Sequence, residues 1–139
     1  MFEFQGWATI REHYREDMEE AEVSEVLIER KNAFRSHMEM LKAADHSNVH
    51  FFAEFQNGSY RVLLSGVKNR RTSIFDEYLE LYRLLAEAMP GSYGELSFID
   101  EDNEEAGVLV EVYVLRKGTL ERFINPFLSP FHPKVEELE

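Results

Sequence analysis

The chain has 139 residues, and its 27 acidic residues outnumber 15 lysines and arginines to give a formal net charge of −12. This charge disfavours nucleic acid as a partner and favours a basic protein, whose approach the negative field would accelerate. The sequence contains no cysteine, which excludes disulfides, thiol nucleophiles and zinc sites built from thiolates.

The first predicted element is a strand over residues 2–10, interrupted by Gly6. A lone glycine in a strand pattern predicts a bulge or a close approach of another part of the chain. A long helix follows, because apolar residues recur at steps of three and four. Its apolar stripe comprises Val23, Val26, Leu27, Ala33, Phe34, Met38 and Leu41. A separate acidic stripe, predicted to face water or a partner, comprises Glu19, Glu22, Glu25 and Glu29.

The clearest local pattern is VHFFAEFQ-NG-SYRVLLSG, over residues 49–66. Two alternating runs flank Asn57-Gly58, which tolerates positive φ and therefore predicts a two-residue hairpin turn. A second helix follows a polar loop, with Thr72 or Ser73 as its cap, and ends at Pro90-Gly91. Its predicted buried face comprises Ile74, Tyr78, Leu81, Leu85 and Met89.

Two further strands are predicted over residues 93–99 and 108–115, and Lys117-Gly118 then turns the chain. The proline-rich tail, residues 125–139, is predicted to be irregular. The order β-α-β-β-α-β-β predicts a single α+β domain over residues 1–139, with both helices on one face of a mixed or antiparallel sheet.

The N-terminal stretch MFEFQGWATI lacks the features of a secretion signal, and no run approaches the ~20 apolar residues of a membrane span. We therefore expect a cytoplasmic protein with neither a membrane nor nucleic acid as its partner.

Five carboxylates occupy six positions after the strand at 93–99. They belong to Asp100, Glu101, Asp102, Glu104 and Glu105. If Asp100 were the first residue of a calcium-binding loop, the sixth position would require glycine, but Glu105 occupies it. The twelfth position would require a bidentate glutamate at the start of a helix, whereas Glu111 lies in a predicted strand. The histidines are scattered, so we predict no metal and no cofactor.

No motif for nucleophilic catalysis or phosphate binding is present, and the sequence predicts a non-enzyme. Carboxylate pairs of the glycosidase type remain open, because their separation cannot be read from sequence. A solvated turn also remains an alternative for the acidic loop.

Repulsion within the acidic run favours a docking surface for a basic partner. Our first candidate contact is therefore the run itself, and our second is the glutamate stripe of the first helix. Trp7, Tyr60, Tyr93 and Tyr113 are candidate aromatic anchors beside this charge, although for Trp7 we expect a role in the core.

The stretches FEFQGWATI, NGSYRVLLSG, PGSYGELSFIDEDNE, VYVLRKGTL and NPFLSP occur in that order between Phe2 and Pro130. In these stretches the sequence resembles the immunity protein 7 family of bacterial polymorphic toxin systems. Phe131 departs from the resemblance, which leads us to expect a small residue or cysteine there.

The resemblance implies a non-catalytic protein that is encoded beside a toxin and binds the toxin's C-terminal domain. Because many such toxins are nucleases, we expect a basic nuclease as the partner. The alternative is an acidic regulatory module for another basic protein.

Overall fold

The computed structural model describes residues 1–12, 24–102 and 109–128. Its elements are β1 (Phe2–Ile10), α1 (Glu25–Ala43), β2 (Val49–Gln56), β3 (Ser59–Lys68), α2 (Ser73–Ala88), β4 (Tyr93–Asp100), β5 (Val110–Arg116) and β6 (Thr119–Ile124). The predicted α+β class and element order are confirmed, and β6 is an additional strand. No helix in the described ranges is long and apolar enough to cross a membrane. The tail is described only to residue 128, without helix or strand after Ile124.

The six strands form one antiparallel sheet in the order β2-β3-β1-β4-β5-β6. The first strand of the chain therefore lies inside the sheet, with β3 and β4 on either side. Phe2 is the register partner of Lys68 on β3 and of Asp100 on β4. The acidic loop consequently leaves the sheet at the end where β1 begins.

Two tight turns build the hairpins at the edges of the sheet. Asn57 and Gly58 have φ values of 51° and 84°, which confirms the predicted turn between β2 and β3. Lys117 and Gly118, at 48° and 75°, make the equivalent turn between β5 and β6. Sequence reasoning missed β6 because most of its residues are exposed, so it lacks a clear alternation of buried and exposed positions.

The core lies between the two helices and one face of the sheet, which we call the helix side. Strand residues on this side include Phe2, Phe4, Ala8, Val62, Leu64, Leu96, Phe98 and Leu115. From α2, four residues of the predicted stripe are buried in this core, Ile74, Tyr78, Leu81 and Leu85, and Met89 is partly buried just after the helix. From α1, Phe34, Met38 and Leu41 join the same core. Successive strand residues point to opposite faces, so the intervening residues form the other face of the sheet.

The apolar stripe of α1 is narrower than predicted. Phe34, Met38 and Leu41 are buried, whereas Val26 and Ala33 are exposed. This part of the prediction is wrong because α1 packs chiefly against α2 and the edge strand β2, which cover only one narrow strip of its surface. Val23 lies outside the described residues.

Gly6 marks a close approach and not a bulge, since the pairing of β1 is continuous on both sides. A Cβ at this position would lie 2.7 Å from the Tyr82 hydroxyl oxygen and 2.9 Å from the carbonyl oxygen of Glu95. The Tyr82 hydroxyl donates a hydrogen bond of 2.9 Å to that carbonyl. Burial raises the pKa of Tyr82 well above its usual value. Gly6 thus allows α2 to be fixed to β4 across β1.

Candidate partner-binding surfaces

The acidic loop begins at the last residue of β4. The backbone N–H of Asp102 donates to the Asp100 carboxylate at 3.1 Å, and the backbone N–H of Glu101 donates to the carbonyl of Met1 at 3.0 Å. These two bonds fix the start of the loop as a turn at the end of the sheet. Glu104 and Glu105 lie outside the described residues.

A positive group lies close to this turn. The α-amino group of Met1 is 3.6 Å from the Glu101 carboxylate and 3.6 Å from that of Asp102. Lys68 is the register partner of Phe2, which places it at the same end of the sheet. The acidic run contains no base, but the fold brings the α-amino group of Met1 beside two of its carboxylates. Exposed pairs of this kind contribute only about 0.2–1 kcal/mol each.

The second candidate contact lies on the first turns of α1. Ser24 begins the helix, and its hydroxyl accepts a hydrogen bond of 3.1 Å from the backbone N–H of Leu27. Glu25 and Glu29 are exposed and lie one turn apart, near the positive end of the helix dipole. Glu19 and Glu22 lie outside the described residues.

The fold separates the two acidic candidates. The start of α1 lies near the end of β1, where Lys31 pairs with Glu12 at 3.2 Å. The segment after α1 lies at the other end of the sheet, where Lys68 donates to the carbonyl of Ser47 at 2.6 Å. The 19 residues of α1 span about 28 Å. The glutamates of α1 and the acidic loop are therefore two separate surfaces.

The face of the sheet opposite the helices carries a third candidate surface, which we call the open face. Trp7 lies near its centre, between its register partners Leu63 on β3 and Glu95 on β4. Its ring makes an edge contact with Tyr93 at 6.0 Å between centroids, and the Arg61 guanidinium lies 5.7 Å from the Trp7 ring. The expectation that Trp7 packs in the core is wrong.

The alternation of side chains along β1 explains why Trp7 lies on the open face, and this position could have been predicted from the sequence. The core residues Phe2, Phe4 and Ala8 occupy even positions, whereas Trp7 occupies an odd one and points to the opposite face. Of the other three candidate aromatic anchors, Tyr93 lies on the open face and is 43% exposed. Tyr60 and Tyr113 pack against the core on the helix side.

Two observations on the described residues concern groups that could take part in catalysis. Across residues 1–12, 24–102 and 109–128, no group of three histidine, aspartate or glutamate side chains converges on a point where a metal ion could bind. Among the described residues, the two tyrosines with raised pKa values, Tyr78 and Tyr82, lie on the buried face of α2 and hold their protons at neutral pH. Exposed carboxylates and aromatic rings are among the groups that these residues offer to a binding partner.

A comparison with models of protein families identifies the family to which the chain belongs. The family model described as Immunity protein 7 matches residues 1–137. The chain belongs to the immunity protein 7 family. Membership implies an immunity protein of a toxin system that binds a cognate toxin, in a family that is generally not enzymatic. No curated protein and no solved structure matches the chain significantly.

For an immunity protein, function depends on which surface meets the toxin. The acidic loop and the start of α1 offer charge without an exposed aromatic centre in their described parts. The open face offers aromatic side chains with charge around them. Charge raises association rates and excludes wrong partners, whereas affinity is concentrated in a few desolvated apolar or aromatic contacts. The two acidic surfaces are therefore suited to raising the association rate, and the open face is suited to providing affinity.

Proposed function

We propose that this immunity protein neutralises a basic nuclease toxin by placing acidic side chains on the surface with which the toxin holds nucleic acid. The observation that carries the proposal is the net charge of −12 combined with the carboxylates of Asp100, Glu101 and Asp102 at the end of one strand. A nuclease requires cationic groups to hold phosphates, and clustered carboxylates complement such groups. The immunity protein then inhibits the toxin by occupying its nucleic-acid-binding surface, without catalysing a reaction.

The turn suits rapid encounter with such a toxin. Its backbone is held by the bonds to Asp100 and Met1 described above, so part of the ordering cost of binding is already met. A negative field of this size accelerates diffusion of a basic partner, with rates that reach ~10⁸–10⁹ M⁻¹s⁻¹ at low salt in the best cases. We place this action in the cytoplasm, where a nuclease would reach the nucleic acids of the producing cell.

The proposal is tested by reversing the charges of the described loop. The variant D100K/E101K/D102K is mixed in stopped flow with the C-terminal domain of the toxin encoded beside the immunity protein. We expect association to slow roughly tenfold at low salt, because the attraction that guides the encounter is lost. The dependence of the rate on ionic strength should also become flatter.

A charge-matched control separates the position of the charge from its total. The variant E39K/D45K/E87K carries the same net charge, but its three exposed reversals are scattered over α1, α2 and the segment after α1. We expect a much smaller effect on the association rate. If the two variants behave alike, the net charge and not the loop guides the toxin. If neither variant slows association, the loop is a solvated turn.

A further inference from the structure

We propose that the open face, with Trp7 at its centre, is the surface on which an apolar side chain of the basic toxin domain docks. This inference rests on the proposed function, because it takes the cognate toxin as the partner. It assigns affinity to a surface other than the acidic loop, which guides the encounter. No described helix covers the open face, and both described helices pack on the opposite side.

A continuous apolar strip crosses the open face. Phe52 on β2 is the register partner of Leu63 on β3, which is in turn the partner of Trp7 on β1. Tyr93 on β4 extends the strip through its edge contact with the Trp7 ring. Strands lie about 4.8 Å apart, so the strip spans four strands and roughly 14 Å. This width suits the central cluster of a protein interface.

The strip is concave at one side of Trp7. A groove of about 510 Å³ is bounded by side chains that include Gln5, Trp7, His50, Phe52, Leu63 and Glu95. Phe52 is 55% exposed, an unusual state for a phenylalanine in the middle of a strand. A groove with apolar walls and a few polar groups at its rim can accept one inserted side chain from a partner.

Charge on the open face favours a basic partner over a second copy of this chain. Its exposed carboxylates belong to Glu3, Glu54, Glu95 and Glu121. The cations among its strand residues are Arg61, which lies over the Trp7 ring, and Arg116. A symmetric dimer through this face would bring like charges together in a chain of net charge −12, whereas a basic toxin would meet opposite charges.

Arg61 provides a specific polar contact beside the strip. Its Nε atom is buried and has no hydrogen-bond acceptor among the residues that the structure describes. Arg61 also borders a second depression with Trp7, Thr9 and Tyr93. The guanidinium lies beside the Trp7 ring at the edge of this depression, so a carbonyl or carboxylate oxygen of the partner placed there would meet a complementary positive charge.

The size of the face also agrees with a protein partner. Six strands at about 4.8 Å separation give a width of roughly 24 Å, and the nine residues of β1 give a length of about 30 Å. The product is close to the ~800 Å² that each partner contributes to a typical stable interface.

Two phenylalanines on the edge strand provide a matched test. Phe52 lies on the open face, whereas Phe55 lies on the helix side, where it contacts Tyr60 at 4.9 Å between ring centroids and is 75% exposed. F52R should weaken the toxin domain's binding about 30-fold by calorimetry, because it removes an anchor and adds a repelling charge. F55R should change the dissociation constant by less than about threefold. Circular dichroism establishes that both variants are folded.

Trp7 supplies a second measurement on the unaltered surface. It is the chain's one tryptophan, so incorporation of 5-fluorotryptophan gives a single ¹⁹F resonance from the centre of the open face. We expect the unlabelled toxin domain to shift this resonance and to protect it from a soluble paramagnetic quencher. F55R should retain both effects.

The possible results separate this inference from the proposed function. Toxin binding that is equal for F52R and F55R, with a Trp7 signal that stays open to the quencher, overturns the inference and leaves toxin neutralisation intact. Failure of the unchanged chain to bind the toxin domain overturns both. A dimer of the free chain that F52R dissociates assigns the face to self-association and also overturns the inference.

Discussion

The two faces of the sheet are built from the same six strands but packed in different ways. On the helix side, the rings of Phe2, Phe4, Phe75 and Phe98 contact one another with centroids 5.0–6.0 Å apart. On the open face, Trp7 has one aromatic neighbour among the described residues, Tyr93, and is flanked by Arg61 and Glu95. The helix side thus holds a buried cluster of rings, whereas the open face presents part of its aromatic surface to solvent.

The largest effect that would sharpen this comparison is the removal of a core ring. F4A should lower the free energy of unfolding by about 3–5 kcal/mol, because the cavity left beneath Phe75 and Tyr78 of α2 cannot collapse fully. The matched variant F52A removes the same group from the open face and should cost about 1 kcal/mol or less. Urea unfolding measures both. Equal losses would contradict the division between a structural face and a recognition face.

A substitution at Gly6 tests how closely α2 must approach β1 and β4 on the helix side. G6A should cost about 1–3 kcal/mol, because the new methyl group would meet the Tyr82 hydroxyl at 2.7 Å and the Glu95 carbonyl at 2.9 Å. Adding Y82F removes the first of these contacts and should recover part of the loss. A double-mutant cycle by thermal unfolding measures the coupling. Additive effects would place the strain elsewhere.

The smallest expected effect is a pH dependence of stability, which distinguishes Tyr82 on the helix side from Tyr93 on the open face. Burial raises the folded-state pKa of Tyr82, so its contribution to stability is complete below about pH 10, the pKa in the unfolded chain. Above pH 10 the unfolded chain releases the proton first, and stability should fall by roughly 1 kcal/mol per pH unit.

Denaturant unfolding at pH 9 and pH 11 measures this decline. Y82F should reduce the decline, whereas Y93F, which changes a tyrosine 43% exposed on the open face, should leave it unchanged. A decline of the same size in all three proteins would mean that other groups, such as Tyr78, whose pKa burial raises to about 12, or the lysines, govern the alkaline limit.

Local patterns in the sequence predicted the elements well. The Asn57-Gly58 turn and the α2 stripe are confirmed because each depends on residues that are neighbours along the chain or the helix. The orientation of Trp7 was missed although the alternation of β1 contained it, because a large aromatic residue was assumed to be buried. An apolar residue at the positions opposite to the core residues of its strand indicates an apolar group on the other face of the sheet, and sequence reasoning can use this signal.

The arrangement of the candidate contacts could not be predicted from sequence. Separation of Glu25 and Glu29 from the acidic loop follows from the path of α1 over the sheet, and the ammonium beside Glu101 follows from pairing of the first strand with β4. Both are long-range features that leave no local pattern. The proposed toxin contacts remain predictions.

The central place of β1 has a consequence for synthesis. Its two neighbours are completed only at Lys68 and Asp100, so the earliest strand waits for its second partner until most of the chain has been translated. At ~5–20 residues per second, about 90 further residues take roughly 5–18 s. A nascent or prematurely terminated chain that lacks β4 has no finished sheet, and we expect it to leave the cell unprotected.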